Sequence, residues 1–327
     1  MAQDTLPRVR AGGDAARMAV AGDLAASVFA RRVGDVSDMV RGDDGTLFAA
    51  DQRSGRIWVV RDRARDGRAD TVQPLPHRFD MPSGLALGGG HLFVADRSGL
   101  WRVAGTGTPE LLAPFANAGA TDAPHPIVLG ADGSLRLGLS MPDGSARVLS
   151  VDARTGEASL LAQIDGVLHG FSKGPADAPT LLIVERDGET WIGTGPDTLR
   201  PVEGSARHAW VDPSNRTVLL SGRTGVRRFA ASLLGLDSDP VDILSGTSSG
   251  PITADERGVL VAEPERGLIW RLHPRVDATT SDIAPAAPAP EPDPDTLLLK
   301  GSGIATGSTL KPRQSSDSED SGSPPTE

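Results

Sequence analysis

Short apolar runs recur along the chain, each closed by an acidic or turn residue and answered after a tight turn by a second apolar run. The clearest pairs are Leu47-Phe48-Ala49-Ala50-Asp51 with Gly55-Arg56-Ile57-Trp58-Val59-Val60, and Leu92-Phe93-Val94-Ala95-Asp96 with Gly99-Leu100-Trp101-Arg102-Val103. Runs of this length, bounded by Gly and Asp and rich in Val, Leu and aromatics, predict strands buried on both faces. Copies start near residues 45, 90, 133, 180, 217 and 258, a spacing of roughly 40 residues that matches one four-stranded propeller blade. The expected fold is therefore all-β: a six-bladed β-propeller of four-stranded blades. Strand a of each blade, beside the central channel, is expected at residues 38–41, 84–87, 127–129, 170–172, 209–211 and 252–254.

A propeller must close, because an open sheet leaves pairing edges exposed. Ala26-Ser27-Val28-Phe29-Ala30 precedes the first complete copy, and the last copy supplies three strands ending at Leu272. Pairing the two predicts a ring closed by an N-terminal strand. The expected organisation is an irregular N-terminal segment at 1–22, the propeller at 23–275, and a Pro/Ala/Ser/Asp-rich tail at 276–327. That tail is too polar to offset its ordering entropy and is expected to be disordered. Its Leu297-Leu298-Leu299 is the one apolar foothold for a partner.

Composition narrows the function classes. Glycine at 39 and proline at 26 of 327 residues suit many short strands and tight turns. With no cysteine there is no disulfide, thiolate metal site or thiol nucleophile. A formal charge of −10, with the 33 basic residues scattered, argues against nucleic acid as a partner. No apolar run approaches the roughly 20 residues of a membrane span, and the start lacks a signal-peptide pattern. The chain as written is expected in the cytoplasm, or in the periplasm if it is a trimmed mature form. A small-molecule, sugar-like ligand is the expected partner.

Allowing for turn lengths, Asp38, Ser83, His169 and His208 occupy matching opening positions of strand a, and His125 sits beside the equivalent place in the third copy. Three of six histidines thus fall at one channel mouth. Imidazole titrates near neutrality and can serve as general base or metal ligand, although each could also cap a loop. Asp51, Asp96, Glu185 and Glu263 all end strand b on the same side. Such carboxylates either orient a catalytic histidine or start the following turn by accepting backbone N–H bonds.

The segment Asp62-Arg63-Ala64-Arg65-Asp66-Gly67-Arg68-Ala69-Asp70 resembles the Asp-rich insertion of bacterial glucose/sorbosone dehydrogenase-like propellers, a quinoprotein family. Gly45-Thr46-Leu47-Phe48, Met81-Pro82-Ser83-Gly84-Leu85-Ala86 and Gly267-Leu268-Ile269-Trp270-Arg271 are similar to that family too. Read as a calcium loop, the segment offers Asp62, Asp66 and Asp70 as ligands with Gly67 at the sharp turn, while Ala64 and Gln73 stand where further ligands belong. The resemblance implies oxidation of a sugar or sugar aldehyde by pyrroloquinoline quinone (PQQ) with calcium, at the channel mouth. His125 is then the base that fits best, with His169, His208 and Asp38 as further site candidates. Where the family carries an Arg-Asn pair opening a middle blade, this chain reads Leu168-His169-Gly170. Two other classes stay open: a metal-dependent hydrolase or lactonase using His169, His208 and Asp38, and a propeller that only binds.

Overall fold

The computed structural model describes residues 18–115, 119–121, 124–174, 180–212, 217–232, 235–236 and 240–275. The tail expected at 276–327 and residues 1–17 lie outside them. The described chain is all-β apart from single 3-10 turns such as Pro196–Thr198 and Pro264–Arg266. No helix among the described residues is long and apolar enough to cross a membrane.

A two-residue strand, β1 (Ala19–Val20), and the eight-residue β2 (Leu24–Arg31) precede a series of antiparallel meanders. The first comprises β3 (Val36–Arg41), β4 (Leu47–Asp51), β5 (Arg56–Arg61) and β6 (Thr71–Arg78). The second comprises β7 (Gly84–Gly88), β8 (His91–Ala95), β9 (Gly99–Ala104) and β10 (Glu110–Pro114). The third is β11 (Ile127–Leu129), β12 (Leu135–Ser140), β13 (Ser145–Val151) and β14 (Ala158–Asp165). The fourth is β15 (Val167–Lys173), β16 (Leu182–Arg186), β17 (Glu189–Gly193) and β18 (Arg200–Val202). In the fifth, β19 (His208–Asp212), β20 (Thr217–Gly222) and β21 (Gly225–Ser232) are followed by β22 (Gly235–Leu236) and β23 (Val241–Ser245), with β23 pairing back onto β21. The last strands are β24 (Ile252–Asp255), β25 (Gly258–Glu263) and β26 (Leu268–Pro274). They take β2 as their fourth strand, in antiparallel register from Leu24↔Pro274 to Arg31↔Leu268. The remaining early strand, β1, lies against β23, so Ala19 and Val20 are paired although the sequence pattern there is irregular.

The apolar runs are continuous because each sheet is covered on both faces. Leu47 and Ala49 of β4 pack with Phe29, Met39 and Ile269, whereas Phe48 and Ala50 pack with Leu85, Leu92 and Val94 of the next sheet. The same alternation puts Leu219 of β20 against Trp270 and Val261, and Val218 and Leu220 against Ile183 and Ala209. Successive side chains of a strand point to opposite faces, so one run feeds two core layers. At about 1.5–3 kcal/mol per fully buried large aliphatic or aromatic side chain, these inter-sheet layers are the main apolar stabilisation.

The first strands of the meanders lie side by side. β3 contacts β7, β7 contacts β11, β11 contacts β15, β15 contacts β19, β19 contacts β24, and β24 contacts β3. Between the fourth and fifth meanders the approach becomes parallel pairing, Ser172↔Ala209 and Lys173↔Trp210, which merges both into one ten-stranded sheet. Gly170 permits close approach here: a Cβ on it would sit 2.6 Å from the carbonyl oxygen of Arg207.

Candidate functional site at the convergence of the first strands

A cavity of about 640 Å³ opens where the first strands converge. Asp38, His169 and His208 all line it, together with Lys173, Arg207, Arg223 and Glu265. Three of the four candidate residues read from the sequence therefore share one space.

Asp38 anchors the floor. It is 6% exposed, and the Met39 and Leu85 backbone N–H groups donate to its two oxygens at 2.8 and 2.7 Å. Lys173, at the end of β15 and 135 positions away in sequence, donates to Asp38 Oδ2 at 2.6 Å and to the Leu85 carbonyl at 2.6 Å. One ammonium thus ties the first, second and fourth meanders. Burial pushes the Asp38 carboxyl above its ordinary range, with Lys173 and the two backbone donors acting against it.

His169 is oriented by a carboxylate: its Nε2 lies 2.9 Å from Glu185 Oε2. An ionised Glu185 accepts the Nε2 proton, which leaves Nδ1 as the basic nitrogen. The pairing exists because β15 and β16 are antiparallel neighbours in which Val167 faces Glu185, so the end of strand b lies over the start of strand a. His208 is different. Among the described residues its ring has no hydrogen-bond partner, and burial pushes its imidazole down to about 3, with the positive charges of Lys173 and Arg207 pushing the same way. It is neutral at physiological pH and can donate or accept a hydrogen bond without carrying charge.

His125 lies elsewhere. It is 1% exposed, its ring stacked edge-to-face on Phe115 at 4.8 Å, and it does not line the cavity, although Pro124 and Pro126 do. Its ring is turned into the core beside Phe115, although its backbone has a cavity-lining counterpart. A Cβ on Gly84 would meet the His125 carbonyl at 2.4 Å, as one on Gly170 would meet the Arg207 carbonyl. His125 is thus the counterpart of Arg207, one position ahead of the residue that matches His208.

The Asp-rich loop spends its carboxylates on itself. Asp66 and Gly67 N–H donate to Asp62, Arg68 N–H donates to Asp66, and Arg63 and Ala64 N–H donate to Asp70. Arg257 of the last sheet lies 3.5 Å from Asp62. Among the described residues no group of three or more His, Asp or Glu side chains is arranged to hold a metal ion. Three of the four strand-b acids, Asp51, Asp96 and Glu263, are buried: Asp51 and Asp96 accept donors of their own turns, and Glu263 accepts the Thr247 hydroxyl and the Trp270 indole N–H. Glu185 alone of the four turns to a histidine.

Sequence reasoning missed Lys173, Arg207 and Arg223. The only local signal was a basic residue flanking each of the two histidine-bearing first strands.

No family model and no curated protein matches the chain. Solved structures do resemble it. The calcium structure of a Trichoderma reesei protein of Carbohydrate-Active Enzymes family AA12 aligns at 11% identity over 79% of this chain and 97% of its own, with a TM-score of 0.60. A putative gluconolactonase aligns at 18% identity over 78% and 93%, TM-score 0.57. The PQQ-bound aldose sugar dehydrogenase of Streptomyces coelicolor aligns at 14% identity over 78% and 100%, TM-score 0.56. At such identities the likeness shows a propeller-type fold and nothing of the chemistry.

Proposed function

We propose that the chain is a six-bladed propeller enzyme that binds a sugar-like small molecule at the channel mouth and oxidises it, with His169 as the proton acceptor. The blade count is supported by the meanders, and the closed ring by β2 pairing with β26 and by β24 contacting β3. The observation that carries the chemistry is the His169–Glu185 pair opening onto a cavity that also holds a part-buried ammonium and a neutral imidazole.

The cavity's donor set fits a quinone better than a cation. Lys173, Arg207 and Arg223 have the sign a polycarboxylate quinone needs, and about 640 Å³ lies within the range of small-molecule sites. Calcium wants six to eight oxygens, whereas both Asp38 oxygens already accept hydrogen bonds. No step is assigned to calcium.

When bound, PQQ supplies the hydride acceptor. His169 Nδ1 takes the proton of the reacting hydroxyl while Glu185 holds the ring and offsets the charge it gains. His208 donates a hydrogen bond to the substrate oxygen without competing for that proton, and Lys173 keeps positive potential under the oxygen as negative charge develops. His125 keeps a packing role, because its ring lies against Phe115.

The test is dye-coupled oxidation of aldoses with PQQ, in wild type and His169→Ala, beside thermal unfolding with and without PQQ. PQQ-dependent turnover lost in the variant supports the reading. No turnover and no thermal shift at saturating PQQ overturns it. The same dyad would serve to deprotonate water, so cofactor-independent lactone hydrolysis is the alternative outcome.

A further inference from the structure

The cavity wall is electrically lopsided. Its basic residues come from the fourth and fifth meanders: Lys173 ends β15, Arg207 precedes β19, and Arg223 follows β20. Lys173 is satisfied by Asp38 and Leu85. Arg207 and Arg223 are exposed, and among the described residues neither guanidinium has a hydrogen bond or ion pair. The acids of the same wall lie on other sheets: Asp38, held by Lys173, Asp35, 3.5 Å from Arg53, and Glu265 of the last sheet.

Two exposed guanidinium forks beside a site suited to hydroxyl chemistry gain little from a neutral ligand and can each take a planar anion. A neutral sugar brings no charge to balance them, whereas a carboxylate takes a bidentate fork in its own plane. The overall charge of −10 disfavours anions at long range, so a positive patch at the mouth is a local, short-range feature. His208 lies beside it, and after burial the charges of Lys173 and Arg207 are among the causes that hold its imidazole below its ordinary range.

We propose that Arg207 and Arg223 form a carboxylate subsite and that the substrate is an acidic sugar of the uronate or aldonate class, held with a hydroxyl toward His169. The subsite deepens the oxidase reading and relies on it only for the orientation of that hydroxyl. The carboxylates of the quinone are the other source of the same chemistry, and the test separates the two.

Isothermal titration with D-glucuronate, D-glucose and PQQ, on wild type and the Arg207→Ala/Arg223→Ala double variant, decides the matter. Both arginines are exposed, so the variant should keep the wild-type urea midpoint, and Arg207→Lys/Arg223→Lys serves as a second variant that retains charge without the fork. Wild type should bind glucuronate at least about tenfold more tightly than glucose, and the double alanine variant should lose roughly ten- to a hundredfold of that affinity, the range of charge-assisted hydrogen bonds. Its affinity for PQQ should fall by much less than its affinity for glucuronate, because Lys173 remains in the cavity wall. Equal binding of the two sugars, no binding of glucuronate, or loss of PQQ affinity in place of glucuronate affinity would each overturn the subsite. Glucuronate binding without oxidation would sink the oxidase reading and leave the subsite standing. Equal kcat/KM for glucose and glucuronate would do the reverse.

Discussion

The second and fourth meanders build the same corner in opposite ways. In the second, β8 runs into a four-residue turn, and Asp96 lies inside it, 1% exposed. The Asp80, Ser98 and Gly99 N–H groups and the Ser98 hydroxyl all donate to its carboxylate, at 2.7 to 2.9 Å. In the fourth, Arg186 pairs directly with Glu189, so only Asp187 and Gly188 form the turn, with φ of 54° and 79°. A two-residue turn with both centres left-handed matches the strand twist and leaves few backbone donors for an acid to cap. Glu185 is thereby released to His169. One acid of the repeat is consumed by folding, and its counterpart becomes available for chemistry because the turn beside it is shorter.

The widest separation is expected between loss of function and loss of fold. His169→Ala should lower turnover by roughly 10²- to 10⁴-fold, the usual contribution of a positioned general base, with a urea midpoint near wild type. Asp96→Ala should do the opposite. Its donors would be left buried without an acceptor, at a cost of about 3 kcal/mol given ~1–3 kcal/mol per orphaned group. Equilibrium unfolding in urea measures it, and per-molecule activity of the folded fraction should hold. An Asp96 variant that unfolds like wild type would remove the structural half of the contrast.

The adjacent fifth meander adds a pH signature. His208 has its folded value depressed from 6.5 to about 3, so its contribution to stability is complete above pH 6.5 and is lost as pH falls toward 3. His208→Gln abolishes that titration. The stability difference between wild type and variant should therefore shrink by a few kcal/mol, at ~1.4 kcal/mol per pK unit, between pH 7 and 4. A difference that stays constant over that range would mean the imidazole is better solvated than its surroundings suggest.

Much of this architecture is legible in the sequence because it is local. The Leu47–Asp51 and Leu92–Asp96 runs announce strands, Gly and Asp announce turns, and the roughly 40-residue period orders them. The opening positions of Asp38, His169 and His208 follow from counting along each copy. His125 shows where counting stops. It is the counterpart of Arg207, which lines the cavity, yet its own ring packs against Phe115, a difference that no count along the repeat announces. Lys173 was out of reach for another reason, since its partner Asp38 lies 135 positions away and no period links an ammonium to a carboxylate across a channel.

Smaller changes test whether turn length is what frees Glu185. Glu185→Gln keeps the shape but removes the charge that orients and stabilises His169. Activity should fall roughly ten- to a hundredfold, as for other groups that orient a functional histidine, with stability within about 0.5 kcal/mol. Glu185→Asp, too short to reach Nε2, should behave alike, and recovery of activity there would argue for a purely electrostatic role.

Gly188→Ala makes the smallest expected change and speaks most directly to the comparison. Gly188 has φ of 79°, and a Cβ on it would find nothing within 4 Å, so an added methyl meets no neighbour. The cost is confined to placing an L-residue in the left-handed region, about 1–2 kcal/mol. If the turn is what releases Glu185, the strained variant should relax toward a looser corner and draw the carboxylate into capping it. Activity should then fall a fewfold, whereas Asp187→Asn, which keeps Gly188 and makes the Asn-Gly pair favoured in this geometry, should keep wild-type activity. Loss of stability with activity untouched would mean that β15–β16 pairing alone holds Glu185 against His169 and that the short turn merely accompanies it.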